Sequence, residues 1–364
     1  LRFYNLILQP PGSAQIWQPT PTGDGFTLGT VGSTFTSFAP GPGGVGGQSI
    51  PGALDIEFDS IITPWDVIQG GTKITIWGVG LGMISQAANL NGSSFILIAG
   101  MKPGLPLATL AYNARQGGPI ARGTIYQAYG NWQATNQSLE LICNPGVVLP
   151  PLENISLSWQ RGQPLSSALA TTLYNAFHSL GFQISTNNIS SLLVPKSTQT
   201  GIYNTLQSFA SWLTPFTKAL GAPTYGKSYG GVQIVINGNQ ISAYDGQGPV
   251  IAKTIPLAFN DMIGQPTWLS ATEVSVKTML RADIQTGNFI TFPPGIQSPY
   301  ALTTSGVAYP NVPAASKTAF QGKFFVNEIH QFAHFRQPDA DSWATAIRMA
   351  VVGTTGTPAA PTVL

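Results

Sequence analysis

A two-residue alternation of apolar and polar side chains runs through both ends of this 364-residue chain and is interrupted in the middle. Leu54, Ile56 and Phe58 alternate with Asp55, Glu57 and Asp59, and Lys73-Ile74-Thr75-Ile76-Trp77 repeats the pattern after Gly70-Gly71. Alternation of this kind sets one face of a strand on a core and turns the other to solvent. Further strands are expected at 2–9, 95–99, 123–129 and 138–143, with Gly- or Asn-containing turns between them. The pattern returns after residue 223. Runs at 232–236 and 240–244 flank Asn237-Gly238, a pair suited to a tight type I′ hairpin. Strands are also expected at 273–281, 284–292 and 324–335, while 343–352 reads as strand or short helix.

Between the two β regions the period changes. Leu165, Ala168, Leu169, Leu173, Ala176, Phe177 and Leu180 recur at steps of three and four, with Pro164 at the start and Gly181 at the stop. A second helix is expected through Ile202, Leu206, Phe209, Ala210 and Leu213, with Thr200 as its cap and Pro215 complicating its end. The predicted organisation is a β region over 1–151, a small helical unit over 152–222 and a second β region over 223–364. The fold class is β-rich α+β.

Charge is scarce: 8% of residues are Asp, Glu, Lys or Arg, where roughly 25% is usual. That excludes coiled coils and long surface helices. With 16 basic and 14 acidic residues and no basic run, nothing marks a nucleic-acid or membrane-surface binder. No apolar stretch approaches the roughly 18 residues of a membrane helix, and the N-terminal residues do not read as a signal peptide. Synthesis and folding in a cytoplasm are expected. Cys143 is a single cysteine in an apolar run and reads as core. So weakly charged a surface is prone to association, and the expectation is that much of it is buried in an assembly.

Residues 10–53 are rich in Gly, Pro, Ser and Thr and carry spaced aromatics at Trp17, Phe26, Phe35 and Phe38. A loop of this length is uncommon inside a compact domain. Ordering costs about 1–2 kcal/mol per backbone residue, and each fully buried aromatic returns only about 1.5–3 kcal/mol. The segment is therefore expected to order against a partner, with the four aromatics as anchors. A second Gly/Pro-rich loop is expected over 293–316 and a flexible tail over 353–364.

The order of parts, and four stretches in particular, resemble the baseplate hub proteins of contractile phage tails, the late control protein D class, related to the N-terminal part of type VI secretion spike proteins. The stretches are Leu54-Asp-Ile-Glu-Phe58; the helical unit from Trp159-Gln-Arg-Gly-Gln-Pro-Leu165 to Gly201-Ile-Tyr-Asn-Thr-Leu-Gln-Ser-Phe-Ala210; Met279-Leu-Arg-Ala-Asp-Ile-Gln-Thr-Gly-Asn-Phe-Ile290; and Gly322-Lys-Phe-Phe-Val-Asn-Glu-Ile-His-Gln-Phe-Ala-His334 followed by Asp341-Ser-Trp-Ala-Thr345. The last is the most telling, a hydrophobic–His strand and then a Trp-x-Thr strand. The resemblance implies two tail-tube-like β-barrel domains with a small helical domain between them. It implies a homotrimer in the virion, made in the host bacterium. Its partners would be the tail tube protein, the central spike protein, the tape measure protein and other baseplate proteins. DNA would pass through the channel without specific binding.

The chemistry-bearing residues are few. Glu328, His330 and His334 would share one strand face, which permits a metal site. The helical HExxH pattern is absent because Gln331 follows His330, and the reading taken is a polar interface face. His178 sits on the helical pattern and reads as structural. Asp55, Glu57 and Asp59 read as a solvated strand face with mutual repulsion, not as a glycosidase pair. Gly78, Gly80 and Gly82 fail the dinucleotide fingerprint, since the third glycine comes too early. No catalytic set, metal or cofactor is expected, and the interface candidates are Trp17, Phe26, Phe35, Phe38, Glu328, His330 and His334. Other β-rich tail components (tube, tail-tip or receptor-binding proteins), a carbohydrate-binding protein and a cell-wall hydrolase are the alternatives.

Overall fold

The computed structural model describes residues 1–13, 15–17, 34–40, 47–66, 71–101, 117–145, 154–226, 229–237, 240–247, 253–270, 272–293, 320 and 322–351. The predicted loop 293–316 falls outside these except for its first residue, and Phe26 and the tail 353–364 fall outside them altogether.

The first region contains β1 (Arg2–Gln9), β2 (Phe35–Thr36), β3 (Phe38–Pro40), β4 (Gly47–Ser49), β5 (Asp55–Ile62) and β6 (Thr72–Trp77). A one-turn helix α1 (Leu81–Ile84) leads to β7 (Ser94–Met101), β8 (Gly117–Gln133) and β9 (Asn136–Pro145). The alternation does what it predicts: Ile56, Phe58, Ile74 and Ile76 point into the core, at most 3% exposed. The hairpin β8–β9 is longer than the sequence pattern, and a bulge between Ile125 and Gln127 shifts its register. Gly130 on β8 lets α1 lie close, since a Cβ there would stand 2.2 Å from Ile84 Cγ2.

The middle unit contains β10 (Ile155–Trp159), α2 (Leu165–Phe177), β11 (Gln183–Asn188), β12 (Gln199–Tyr203) and α3 (Leu206–Tyr225). Helix α2 follows Pro164, runs on into a short 3-10 turn and stops at Gly181, whose φ of 78° is left-handed. The second helix corrects its prediction. Ile202 and Thr200 lie on β12, which pairs antiparallel with β10, and Ile202 is 72% exposed. The cap is Thr205, whose hydroxyl accepts from the Ser208 amide while the Ser208 hydroxyl accepts from the Thr205 amide. The helix passes through Pro215 and Pro223, held by burial of Leu206, Phe209, Ala210 and Leu213.

The hairpin β13 (Gln233–Asn237) and β14 (Gln240–Tyr244) forms where two strands are expected, but Asn237 is the last paired residue of β13, opposite Gln240, and the turn itself lies outside the described residues. Strand β11 pairs parallel to β14, and Ile234, Ile236 and Ile241 join the core that also holds Ile155, Leu169 and Phe209. The packing of the middle unit thus extends past residue 222.

The last region contains β15 (Thr254–Pro256), β16 (Thr267–Trp268), β17 (Glu273–Met279), β18 (Phe289–Thr291), β19 (Phe324–His334) and β20 (Trp343–Val351). Residues 343–351 are strand throughout. The two β regions are continuous: one sheet runs β16-β17-β20-β19-β5-β6-β9-β8-β7-β1-β2, and β5–β19 is the pair that joins its halves.

Candidate functional site

The joint between the two β regions carries the densest polar chemistry of the described residues. Strand β19 lies antiparallel to β5 with His334 opposite Glu57 and His330 opposite Ile61. On β5 the odd-numbered carboxylates face outward because Ile56 and Phe58 face the core. His334 Nδ1 meets Glu57 Oε1 at 2.9 Å and its Nε2 meets Asp55 Oδ2 at 2.8 Å. His330 Nε2 meets Asp59 Oδ1 at 2.8 Å. Glu57 also accepts from Trp77 Nε1 at 3.1 Å, and Asp55 from the Arg336 amide at 3.1 Å. The expectation of a solvated, self-repelling carboxylate row is corrected: each carboxylate faces an imidazole contributed from more than 270 residues away.

The polar band continues across β6 and β9. Lys73 Nζ pairs with Glu140 Oε2 at 2.9 Å, and Glu140 also accepts from Tyr129 and Asn131. Burial pushes the Glu140 carboxyl up, but these three donors together hold it below the ordinary carboxylate range. A shallow cleft of about 330 Å³ opens along the joint, lined by Glu57, Asp59, Lys73, Phe332, His334 and Ser342 among others. Lys277 stands 5.4 Å over the Phe332 ring and pairs with Asp341 at 3.2 Å.

Two further ties cross the joint. Arg2 donates to the carbonyls of His334, Gln337 and Asp339 and to the Ser342 hydroxyl, clasping the turn between β19 and β20. Trp343 enters the core of the first region, 2% exposed, and donates to the Gly100 carbonyl at 3.1 Å. Thr345 Oγ1 accepts from the Arg281 amide, and Gln331 Nε2 donates to the Arg281 carbonyl. Arg281 is buried between Asp261 at 3.0 Å and Asp283 at 2.7 Å.

The structure distributes the remaining interface candidates differently. Glu328 shares the outward face of His330 and His334, but its carboxylate stands 3.9 Å from Arg348, beyond a bulge between Val326 and Glu328. Phe35 departs from its expectation: it is 1% exposed in the core of its own region, where β2 pairs with β1. Trp17 packs half-buried on that core, 6.4 Å from the Phe35 ring, and its amide donates to the Leu8 carbonyl. Phe38 is half-buried on β3. The described ends of the 10–53 segment therefore dock on their own domain, through β1. Residues the sequence does not single out stand exposed on β8: Tyr126 at 70% and Trp132 at 63%. The sequence signal for them is aromatic type alone.

Among the described residues no group of three His, Cys, Asp or Glu side chains is placed to hold a metal ion, since the Asp55 and Glu57 oxygens lie against opposite nitrogens of one ring. His178 stacks on Tyr174 at 4.2 Å, in keeping with a structural role. Cys143 is fully buried, and burial pushes its thiol up, away from the reactive thiolate. No described helix is long and apolar enough to cross a membrane.

No protein-family model and no curated protein matches the sequence. Among solved structures, the chain is similar to the tail protein from Neisseria meningitidis MC58, at 9% identity and a TM-score of 0.43, over 98% of this chain and 99% of that one. It is similar to the prophage MuSo2 43 kDa tail protein from Shewanella oneidensis, at 7% identity and a TM-score of 0.44, over 96% and 98%. It is also similar to a chain of a Francisella PdpA-VgrG complex, at 7% identity and a TM-score of 0.42, over 100% of this chain and 60% of that one.

Proposed function

We propose that this protein is a structural baseplate hub of a contractile phage tail, a non-enzymatic trimer that joins the tail tube to the central spike. The observation that carries this reading is the convergence of the hub-like stretches. Leu54–Phe58 lies on or beside β5, Gly322–His334 runs into β19, and Trp343-Ala-Thr345 opens β20. Arg281, in a third such stretch, is hydrogen-bonded to Thr345 and Gln331. Residues from three of the four hub-like stretches thus meet at one joint, which binds two β regions into a unit; three copies of it would set six β regions around a channel.

In this reading the channel conducts the tape measure protein and DNA without specific binding, and the other baseplate proteins cover the outer surface. Trp17, Phe26, Phe38, Glu328, His330 and His334, with Tyr126 and Trp132, are the contact residues. The near-absence of charge suits a chain walled in by neighbours. Native mass spectrometry of the purified full chain, followed by reconstruction of the tail particle, tests it. Three copies between tube and spike are expected. A stable monomer under all conditions, or an even-numbered ring in the particle, would rule out the hub.

A further inference from the structure

We propose that the distal half of β8, from Ala128 to Trp132, is a docking edge for an extended, uncharged segment of a partner protein, which adds to the sheet as one more strand. The backbone parity is the starting point. A two-residue turn at Ala134-Thr135 sets Gln133 opposite Asn136, so Gln133, Asn131 and Tyr129 exchange hydrogen bonds with β9. The alternate residues Ala128, Gly130 and Trp132 therefore turn their N–H and C=O groups away from β9. The Ala128 amide agrees with this parity, since it donates to Asn91 Oδ1 at 2.7 Å. Strand β7 covers this side of β8 only as far as Thr124, and the Ser93 carbonyl and Gly92 amide close Ile125. Beyond them, the Ala128 carbonyl and both backbone groups of Gly130 and Trp132 meet no partner among the described residues.

Strand edges are ordinarily blunted by charge, proline, a bulge or a covering segment, and the two ends of this sheet are covered. On β1 the Tyr4 and Leu8 amides donate to the Ser37 and Thr34 hydroxyls, and the Tyr4, Leu6 and Leu8 carbonyls accept from the amides of Ser37, Thr34 and Trp17. On β17 the Glu273 carbonyl accepts from the Leu269 and Ser270 amides, and the Lys277 carbonyl from Ile263. Past the bulge between Ile125 and Gln127, the β8 edge has none of these guards. Residues 123–139 contain no charged residue and no proline. Tyr126 is 70% exposed and Trp132 63%. The tip of the hairpin is also shaped in advance. Trp132 Nε1 donates to the Ala134 carbonyl at 2.8 Å, and Ala134 is held at a left-handed φ of 53°, which costs a residue with a Cβ about 1–2 kcal/mol. An edge already held in shape loses little freedom on binding.

The spacing identifies the occupant. Free N–H and C=O groups that recur at every second residue match the backbone of an extended chain. That chain is uncharged because residues 123–139 offer no counter-charge, and Glu140, across the hairpin, is already paired with Lys73. Its side chains gain by covering Tyr126 and Trp132, residue types that dominate interface energetics. A second copy joined through this same edge is disfavoured by size. The free edge is about 14 Å long at 3.4 Å per residue, too short to bury the roughly 1,200–2,000 Å² that holds two folded proteins together. A single extended segment needs only the edge and the two aromatics beside it. The inference deepens the hub reading, in which Tyr126 and Trp132 are contact residues, and rests on that reading for the particle used in its test.

Hydrogen exchange of the full chain, alone and in the tail particle, tests this. Alone, the Gly130 and Trp132 amides are expected to exchange within about tenfold of the intrinsic rate, while the Tyr129 and Asn131 amides are protected at least about a hundredfold. In the particle, Gly130 and Trp132 should gain about a hundredfold protection, and a reconstruction should show an added strand against them. Protection of both amides in the isolated monomer overturns the inference, and so does unchanged exchange in the particle or a dimer that forms through this edge. Two variants separate backbone from side chain. Trp132→Ala removes the indole and keeps the amide, whereas Trp132→Pro removes both without touching the β9 ladder. In competition with wild type, Trp132→Pro should enter particles about tenfold less than Trp132→Ala, and equal entry overturns the inference. Should the proline variant fail to fold, the wild-type exchange decides. Three copies between tube and spike with a bare β8 edge would sink the docking edge and leave the hub. An added strand on β8 in a particle built with any other copy number would sink the hub and leave the docking edge.

Discussion

Truncating Trp343 to alanine should reach into a domain to which Trp343 does not belong in sequence. The indole is 2% exposed and packs against Phe58 at 5.7 Å and Phe335 at 6.1 Å, with the Arg2 guanidinium 5.7 Å from its ring. Removing a buried indole costs about 3–5 kcal/mol in lost transfer energy and residual cavity. The Gly100 carbonyl also loses the Nε1 donor, about 1 kcal/mol more. The expected total of about 4–6 kcal/mol is a large part of the 5–15 kcal/mol that holds a domain folded. Trp343→Phe keeps most of the packing and gives up the donor, and should cost about 1–2 kcal/mol. Urea unfolding followed by circular dichroism gives the global loss, and hydrogen exchange locates it. The reasoning requires that β7, which carries Gly100, lose protection in Trp343→Ala. A loss under about 1.5 kcal/mol, or one confined to residues 253–351 with β7 unchanged, would refute the claim that Trp343 anchors one region in the other.

Two further outcomes are expected. Gly130→Ala drives a methyl to 2.2 Å from Ile84 Cγ2 and should destabilise by about 1–3 kcal/mol, with much of the loss recovered in Gly130→Ala/Ile84→Ala; urea midpoints of the three chains check it. Burial holds the Asp66 carboxyl above its ordinary value of 3.8, against weaker opposing hydrogen bonds that include one from Gln233, and its Oδ1 is buried without a partner. The folded state therefore binds this proton more tightly than the unfolded chain does. The Asp66 contribution to stability falls as pH rises from 3.8 through the raised folded value, so Asp66→Asn should raise the urea midpoint at pH 7 relative to wild type and leave it little changed near pH 3.

The sequence shows local structure where one face of an element is buried by its own neighbours. The α2 stripe and its Gly181 stop, the β5 alternation and the two strands of the β13–β14 hairpin are all readable for that reason. The start of α3 is not, because Ile202 has the spacing of a helical apolar stripe while lying on the outer face of a two-stranded sheet, and Thr200 and Thr205 are both acceptable caps until tertiary pairing chooses. Phe35 misleads in the opposite sense. A Gly/Pro-rich surrounding suggests a mobile anchor, yet two residues of pairing with β1 suffice to seat it in the core. The core to which the β13–β14 hairpin belongs was equally hidden, since Ile234 and Ile241 are apolar at every level of the sequence and only packing assigns them to the middle unit.

The polar joint was hidden for a different reason. Asp55, Glu57 and Asp59 are close in sequence, and on their own the spacing argues repulsion, since alternate residues of a strand share a face. His330 and His334 have the same spacing problem in reverse. Each half is unremarkable, and the chemistry arises only when register sets Glu57 opposite His334. A one-residue slip in that register would turn every one of these side chains to the other face, burying three carboxylates and exposing Ile56 and Phe58. The apolar face of β5 thus specifies the register, and the register assembles the histidine–carboxylate contacts. In a chain with so few charges, the row that looks like a liability on one strand becomes, through its pairing, the place where the two β regions recognise each other.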